Sequence, residues 1–197
     1  MECQAFQKDN ATSMKLIVVT LLMMVMQMSC SPERKSVSYY RENKSEINEL
    51  KNEYDALYKH QPFSAGFTDK TFKYYVMQIT TDTLRAIYNN EKRKDELWQN
   101  VLRFDYDTVA LKKMARRMEK IKCLWVGKTD HYFGAKREVF TYISFQSADK
   151  AFRENKYYVL ILPDRKIDYP EIEEQIRKGK LVKVDSLVYF TTTNKYR

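Results

Sequence analysis

Glycine and proline are scarce in this 197-residue chain, four of each, and only three cysteines and two histidines are present. So little Gly and Pro excludes a collagen repeat and low-complexity disorder. Three cysteines are too few for a disulfide scaffold. With His60 and His131 as the only histidines, no metal site built on three imidazoles can form. There is no Gly-x-Ser-x-Gly elbow and no Gly-x-Gly-x-x-Gly turn. Gly127-Lys128-Thr129 lacks the earlier glycine of a phosphate-binding loop, because Lys122 stands in its place. The mean hydropathy of -0.63 excludes a polytopic membrane protein.

What is abundant is charge and aromatic surface. Lys and Arg number 35 against 26 Asp and Glu, a net charge of +9, and 14% of residues are aromatic. A domain of roughly 150–170 residues buries about 68–70% of its unfolded surface, so it folds without a metal or a disulfide.

Composition breaks sharply near the start. Lys15 precedes an apolar run, Leu16 to Met26, and six of the nine methionines fall in the first 28 positions. That run fits a signal-peptide core of 7–15 residues and is well short of the ~20 needed to cross a bilayer. Ser29 then stands directly before Cys30, and Ser31-Pro32-Glu33-Arg34-Lys35 beyond it is polar. Residues 14–30 resemble a bacterial lipoprotein signal, in which cleavage precedes a cysteine that becomes acylated. Met28 and Gln27 depart from the commoner small and aliphatic choices, so the lipobox is a loose one. The alternatives are an uncleaved anchor or a buried apolar helix. Glu2 and Asp9 are misplaced for a signal, so residues 1–13 read as a mis-assigned start, with Met14 as the true one.

The resemblance implies lipidation at Cys30, a signal peptide at 14–29 and a place in the cell envelope of a Gram-negative bacterium. The protein is then an outer-membrane lipoprotein facing periplasm or surface. A single acyl chain binds marginally, whereas the multiply acylated cysteine that the resemblance implies holds a domain stably. Residues 30–44 are expected as a tether, spanning about 20 Å if unfolded. With Cys30 acylated and Cys3 outside the true start, Cys123 is a lone thiol, read as a small buried hydrophobe in an apolar strand.

Residues 45–197 are expected to form one α+β domain, a helical N-terminal half packed on an antiparallel sheet from the C-terminal half. Ile47, Leu50, Tyr54, Leu57 and Tyr58 recur at helical spacing, a period that reaches back to Val37 and Tyr40. Helices are also predicted over Asp95–Phe104, over 107–121 with Asp107 as N-cap, and over Tyr169–Gly179. Strands are predicted over Phe72–Ile79, Cys123–Val126, Val139–Phe145, Lys156–Leu162 and Leu181–Thr191. Turns are placed at Gly127-Lys-Thr-Asp and Phe133-Gly-Ala-Lys.

Three groups of residues suggest function. On the 107–121 helix, Lys112, Lys113, Arg116, Arg117 and Lys120 share one face, opposite Leu111, Met114, Ala115, Met118 and Ile121. Their like-charge pairs at i,i+4 each cost roughly 0.2–0.5 kcal/mol, which calls for offsetting anions. These are Glu171, Glu173 and Glu174 of the same fold, or external lipid head groups or polyanions; export leaves no nucleic acid to bind. Asp105 and Asp107 are the one carboxylate pair suited to acid/base work, although such a pair at a helix start also serves as cap and dipole partner. Tyr142 and Tyr158 are candidates for an aromatic binding platform, against burial of both sheet faces.

Three tripeptides, Asp82-Thr83-Leu84, Asp107-Thr108-Val109 and Asp185-Ser186-Leu187, are similar to an O-glycosylation acceptor pattern of Gram-negative gut anaerobes. They also read as helix caps. No cofactor is implied. The function expected is a non-catalytic binding or assembly module of the envelope, with a membrane anchor and a glycan, protein or head-group partner. The alternative is a hydrolase of envelope polymer acting through carboxylates.

Overall fold

The computed structural model describes residues 32–68, 71–80, 85–89, 96–148 and 156–193. The expected start, signal peptide and lipidated Cys30 lie outside the described residues, as does Asp82-Thr83-Leu84. The chain divides into two compact units, Met1–Lys35 and Ser36–Arg197. The second carries the α+β fold described below.

Helix α1 (Pro32–His60) is followed by strands β1 (Phe63–Phe67), β2 (Tyr75–Thr80) and β3 (Arg85–Asn89). Helices α2 (Glu96–Leu102) and α3 (Thr108–Lys120) lead into β4 (Trp125–Phe133), β5 (Lys136–Ala148) and β6 (Lys156–Pro163). Helix α4 (Pro170–Arg177) and the hairpin β7 (Val182–Asp185) and β8 (Val188–Thr193) complete the order. The eight strands form one sheet in the order β3-β2-β1-β4-β5-β6-β8-β7, and every pairing is antiparallel. The sheet thus reaches further back than the C-terminal half, recruiting β1–β3.

One face of the sheet packs on helices. Tyr40, Ile47, Leu50, Tyr54 and Leu57 of α1 join Leu97 and Val101 of α2 and Leu111, Met114 and Met118 of α3. Against them lie Phe63, Met77, Val126, Ile143, Leu160 and Phe190 from the strands. At about 25 cal/mol per Å2 of apolar area removed from water, this layer is the main source of stability.

Four expectations are corrected. The tether is not unfolded beyond Ser31: α1 begins at Pro32, and Tyr40 is buried and donates a hydrogen bond to Asp185 Oδ2 at 2.9 Å. The cause is that Tyr40 continues the buried period of Ile47 and Leu50, so the helix has a face to bury from there on. Gly127-Lys-Thr-Asp is no turn, since β4 runs straight through it to Phe133. Gly127 sits in a tight place in the strand: a Cβ there would stand 3.2 Å from the Ser64 Cβ and 3.3 Å from Trp125 Nε1. Leu181–Thr191 is two strands, folded back at Asp185–Val188. Finally, Phe63–Phe67, a stretch that the sequence pattern assigns to no element, forms β1. Its Gly66 is required by close approach: a Cβ would lie 2.1 Å from the Leu124 carbonyl oxygen.

Candidate functional site

The second face of the sheet carries its own small core. Phe140, Tyr189 and Tyr142 on the strands meet Ile167, Ile172, Ile176 and Leu181 from α4 and its flanks. Alternation places them there: Tyr142 pairs with Ile161, which pairs with Tyr189, so the three form a row across β5, β6 and β8. Phe140 lies two residues from Tyr142, and His131 two from Thr129, the residue opposite Phe140.

Helix α4 roofs only part of this row. Pro170 occupies its first turn, and Gly179 at φ +66° ends it in a conformation that glycine adopts without strain. The segment before it is held by a buried carboxylate. Glu138 of β5 accepts from Arg165 Nε at 3.3 Å, from Arg165 Nη2 and from the Tyr169 hydroxyl. These bonds hold the Glu138 carboxyl below its ordinary range. The Tyr169 ring in turn stacks on Phe133 at 4.4 Å.

Between sheet and roof lies an open groove of about 680 Å3. Its floor is His131, Phe133, Phe140, Tyr142, Ile161 and Tyr189; its rim includes Glu171, Gln175, Lys180, Thr191 and Thr192. The His131 ring stacks over Phe140 at 4.9 Å, and its Nε2 hydrogen-bonds the Tyr142 hydroxyl. Burial lowers the His131 pKa, a shift that the nearby Asp130 only partly opposes, and burial pushes Tyr142 up to about 12. The pair is therefore uncharged at neutral pH. The volume falls within the roughly 300–1,000 Å3 of small-molecule sites, and aromatic walls with a few placed polar groups are their usual lining.

The two platform tyrosines are not together. Tyr158 is 3% exposed in the helix-side core, against Phe145 and Phe190, while Tyr142 lines the groove on the opposite face. The β-bulge between Ser144 and Gln146 sets the local register between them. His131, Phe140 and Tyr189 are Tyr142's real companions. The signal that could have found them was the period-2 spacing of rings at 131 and 133 and at 140 and 142.

The basic face of α3 is occupied by the chain's own carboxylates, not those of α4. Arg117 pairs with Glu46, Glu49 and Glu53 of α1, Lys113 with Glu53 at 2.8 Å, and Lys120 with Glu46. Lys112 lies 5.2 Å from the Trp98 ring centroid. Arg116 is exposed, with no ion-pair partner among the described residues. Glu174 of α4 pairs instead with Lys178 of its own helix.

Asp107 caps α3, accepting from the Val109 and Ala110 amides at 2.8 and 3.0 Å. Asp105, at φ 58°, points into solvent, its Oδ2 4.0 Å from His60 Nε2. Cys123 is buried, and burial raises its thiol pKa far above the ordinary range. Among the described residues no cluster of three or more His, Cys, Asp or Glu is placed to hold a metal, and no helix is long and apolar enough to cross a membrane.

A second, smaller groove of about 330 Å3 lies between α1 and the β6–β8 end of the sheet. Its charges are engaged with one another. Lys44 Nζ is 2.7 Å from Asp185, and Lys51 Nζ contacts Asp55 at 2.7 Å and Asp164 at 2.5 Å. Lys128 Nζ lies 2.7 Å from Asp55 Oδ1 as an ion pair without hydrogen-bond alignment.

Comparison of the chain with protein-family models, curated proteins and solved structures finds no match.

Proposed function

We propose that the chain is an anchored, non-catalytic binding module of the cell envelope, held through an acylated Cys30 and taking its ligand in the groove beneath α4. The observation that carries the binding half is the groove itself: the part-exposed rings of His131, Phe133 and Tyr142 beside a roof that covers only part of the floor. The apolar run ending at Ser29-Cys30 supports the anchor. The carboxylates first weighed for catalysis have other surroundings, Asp107 at the start of α3 and Asp105 in solvent.

Intact-mass analysis of protein extracted from membranes tests the anchor. The expected species begins at Cys30 and carries a diacylglyceryl group and a further acyl chain. Cys30→Ser is expected in the soluble fraction. Undiminished membrane retention of that variant overturns the lipid anchor without touching the groove.

A further inference from the structure

We propose that the groove's ligand is an uncharged pyranose saccharide, seated on the ring floor at Tyr142 and hydrogen-bonded at the rim through Glu171 and Gln175. This rests on the groove being the ligand site, and it adds the chemical class.

The first reason is the layout of apolar and polar atoms. The floor presents the part-exposed rings of His131, Phe133 and Tyr142, backed by buried Phe140 and Tyr189, and the rim presents a carboxylate, an amide and an ammonium in Glu171, Gln175 and Lys180. A pyranose has a face of C–H bonds and an edge of hydroxyl groups that both donate and accept. An alkyl chain would cover the floor but make no hydrogen bond to the rim, whereas a pyranose can use both.

Charge supplies the second reason. Among the described residues, Glu171 and Lys180 are the only ionised side chains lining the groove, and they are of opposite sign. The His131–Tyr142 pair at the floor adds none. Tyr189 is raised first by its burial and then by Glu173 and Asp168, so it too is uncharged. A phosphate or carboxylate ligand would find no cation on the floor and only Lys180 at the rim, beside Glu171. Ring stacking and neutral hydrogen bonds work in such a place without an ion pair.

The experiment titrates the full chain in detergent with cellotriose, maltotriose and chitotriose, read by saturation-transfer NMR. Galacturonic acid trimer, trialanine and decanoate complete the panel. The expected result is saturable binding of at least one neutral trisaccharide with Kd below about 1 mM, and weaker binding of the acidic one. Tyr142→Ala is expected to weaken binding about tenfold through the lost ring contact. Gln175→Ala, a change at a half-buried rim residue outside the core, is expected to weaken it too.

Failure of all three neutral sugars to saturate overturns the proposal, as does binding indifferent to both substitutions. If trialanine or decanoate binds and Tyr142→Ala abolishes it, the saccharide assignment falls while the groove stands as a ligand site. If no member of the panel binds, both fall.

Discussion

Arg117 of α3 and Glu53 of α1 meet fork to fork, Nε 3.0 Å from Oε2 and Nη2 3.2 Å from Oε1, across 64 residues of sequence. The same guanidinium reaches Glu46 and Glu49. One side chain, 13% exposed, therefore gathers three carboxylates of one helix and offsets the crowding of cations on the other. The two helices are locked over the sheet by charge as well as by Leu50 and Met114.

Removing that guanidinium leaves three acidic groups facing one another. Arg117→Ala is expected to lower unfolding stability by about 1–3 kcal/mol. Arg117→Lys should recover only part of the loss, because an ammonium cannot make the paired geometry. Urea titration measures both. An unchanged midpoint for Arg117→Ala would show that the carboxylates are solvated rather than paired.

Acid should destabilise the fold in two stages. Burial lowers His131 in the folded state, so the unfolded chain takes up the proton first and stability declines as pH falls below about 6.5. Glu53 and Asp164 follow. Burial alone would raise each, but bonds to Arg117 and Lys113 and to Lys51 outweigh it, and both end below their ordinary values. Their contribution is complete above about pH 4.3 and is lost as pH drops through the folded values. His131→Phe should remove the first stage and spare the second. Chemical denaturation at a series of pH values separates them, and a flat profile between pH 7 and 5 would contradict the half-buried neutral imidazole.

Asp107 and Asp105 should answer mutation in opposite directions. Asp107→Ala loses the cap on two amides and about 1 kcal/mol with it. Asp105 has a left-handed backbone, so Asp105→Gly should keep or raise stability by up to about 1 kcal/mol. Thermal unfolding gives both signs. A loss on Asp105→Gly comparable to that of Asp107→Ala would show a structural role for its exposed carboxylate.

The contact at Gly66 leaves no room. A methyl there would stand 2.5 Å from the Trp125 ring as well as against the Leu124 carbonyl, so Gly66→Ala should cost about 3 kcal/mol or more by prising β1 from β4. Adding Trp125→Ala should not rescue it, because the backbone oxygen stays. Rescue in the double variant, measured by urea titration, would mean that the indole alone is the obstacle.

Local chemistry was readable in the chain, and distant partnership was not. The two-faced helix at 107–121, the Asp107 cap, the Pro170 start and the Gly179 stop each follow from neighbouring residues, and each is found in place. Which carboxylates answer the basic face depends on which helix lies beside it. The stripe Glu46, Glu49 and Glu53 was visible at helical spacing, but nothing local distinguished it from Glu171, Glu173 and Glu174. Likewise Tyr142 could be assigned to one sheet face, whereas its companions His131 and Tyr189 arrive through strand pairing. Gly127 misled because a residue made for a tight fit looks, in one dimension, like one made for a turn.

Helix α1 finds several of its polar partners almost at the far end of the polypeptide: Tyr40 reaches Asp185 across 145 positions and Lys51 reaches Asp164 across 113. Contacts that distant close slowly and late. During synthesis the apolar flank of α1 is covered in full only after the β7–β8 hairpin has left the ribosome. Completion of this helix layer therefore waits on synthesis of nearly the whole domain, whichever compartment it folds in.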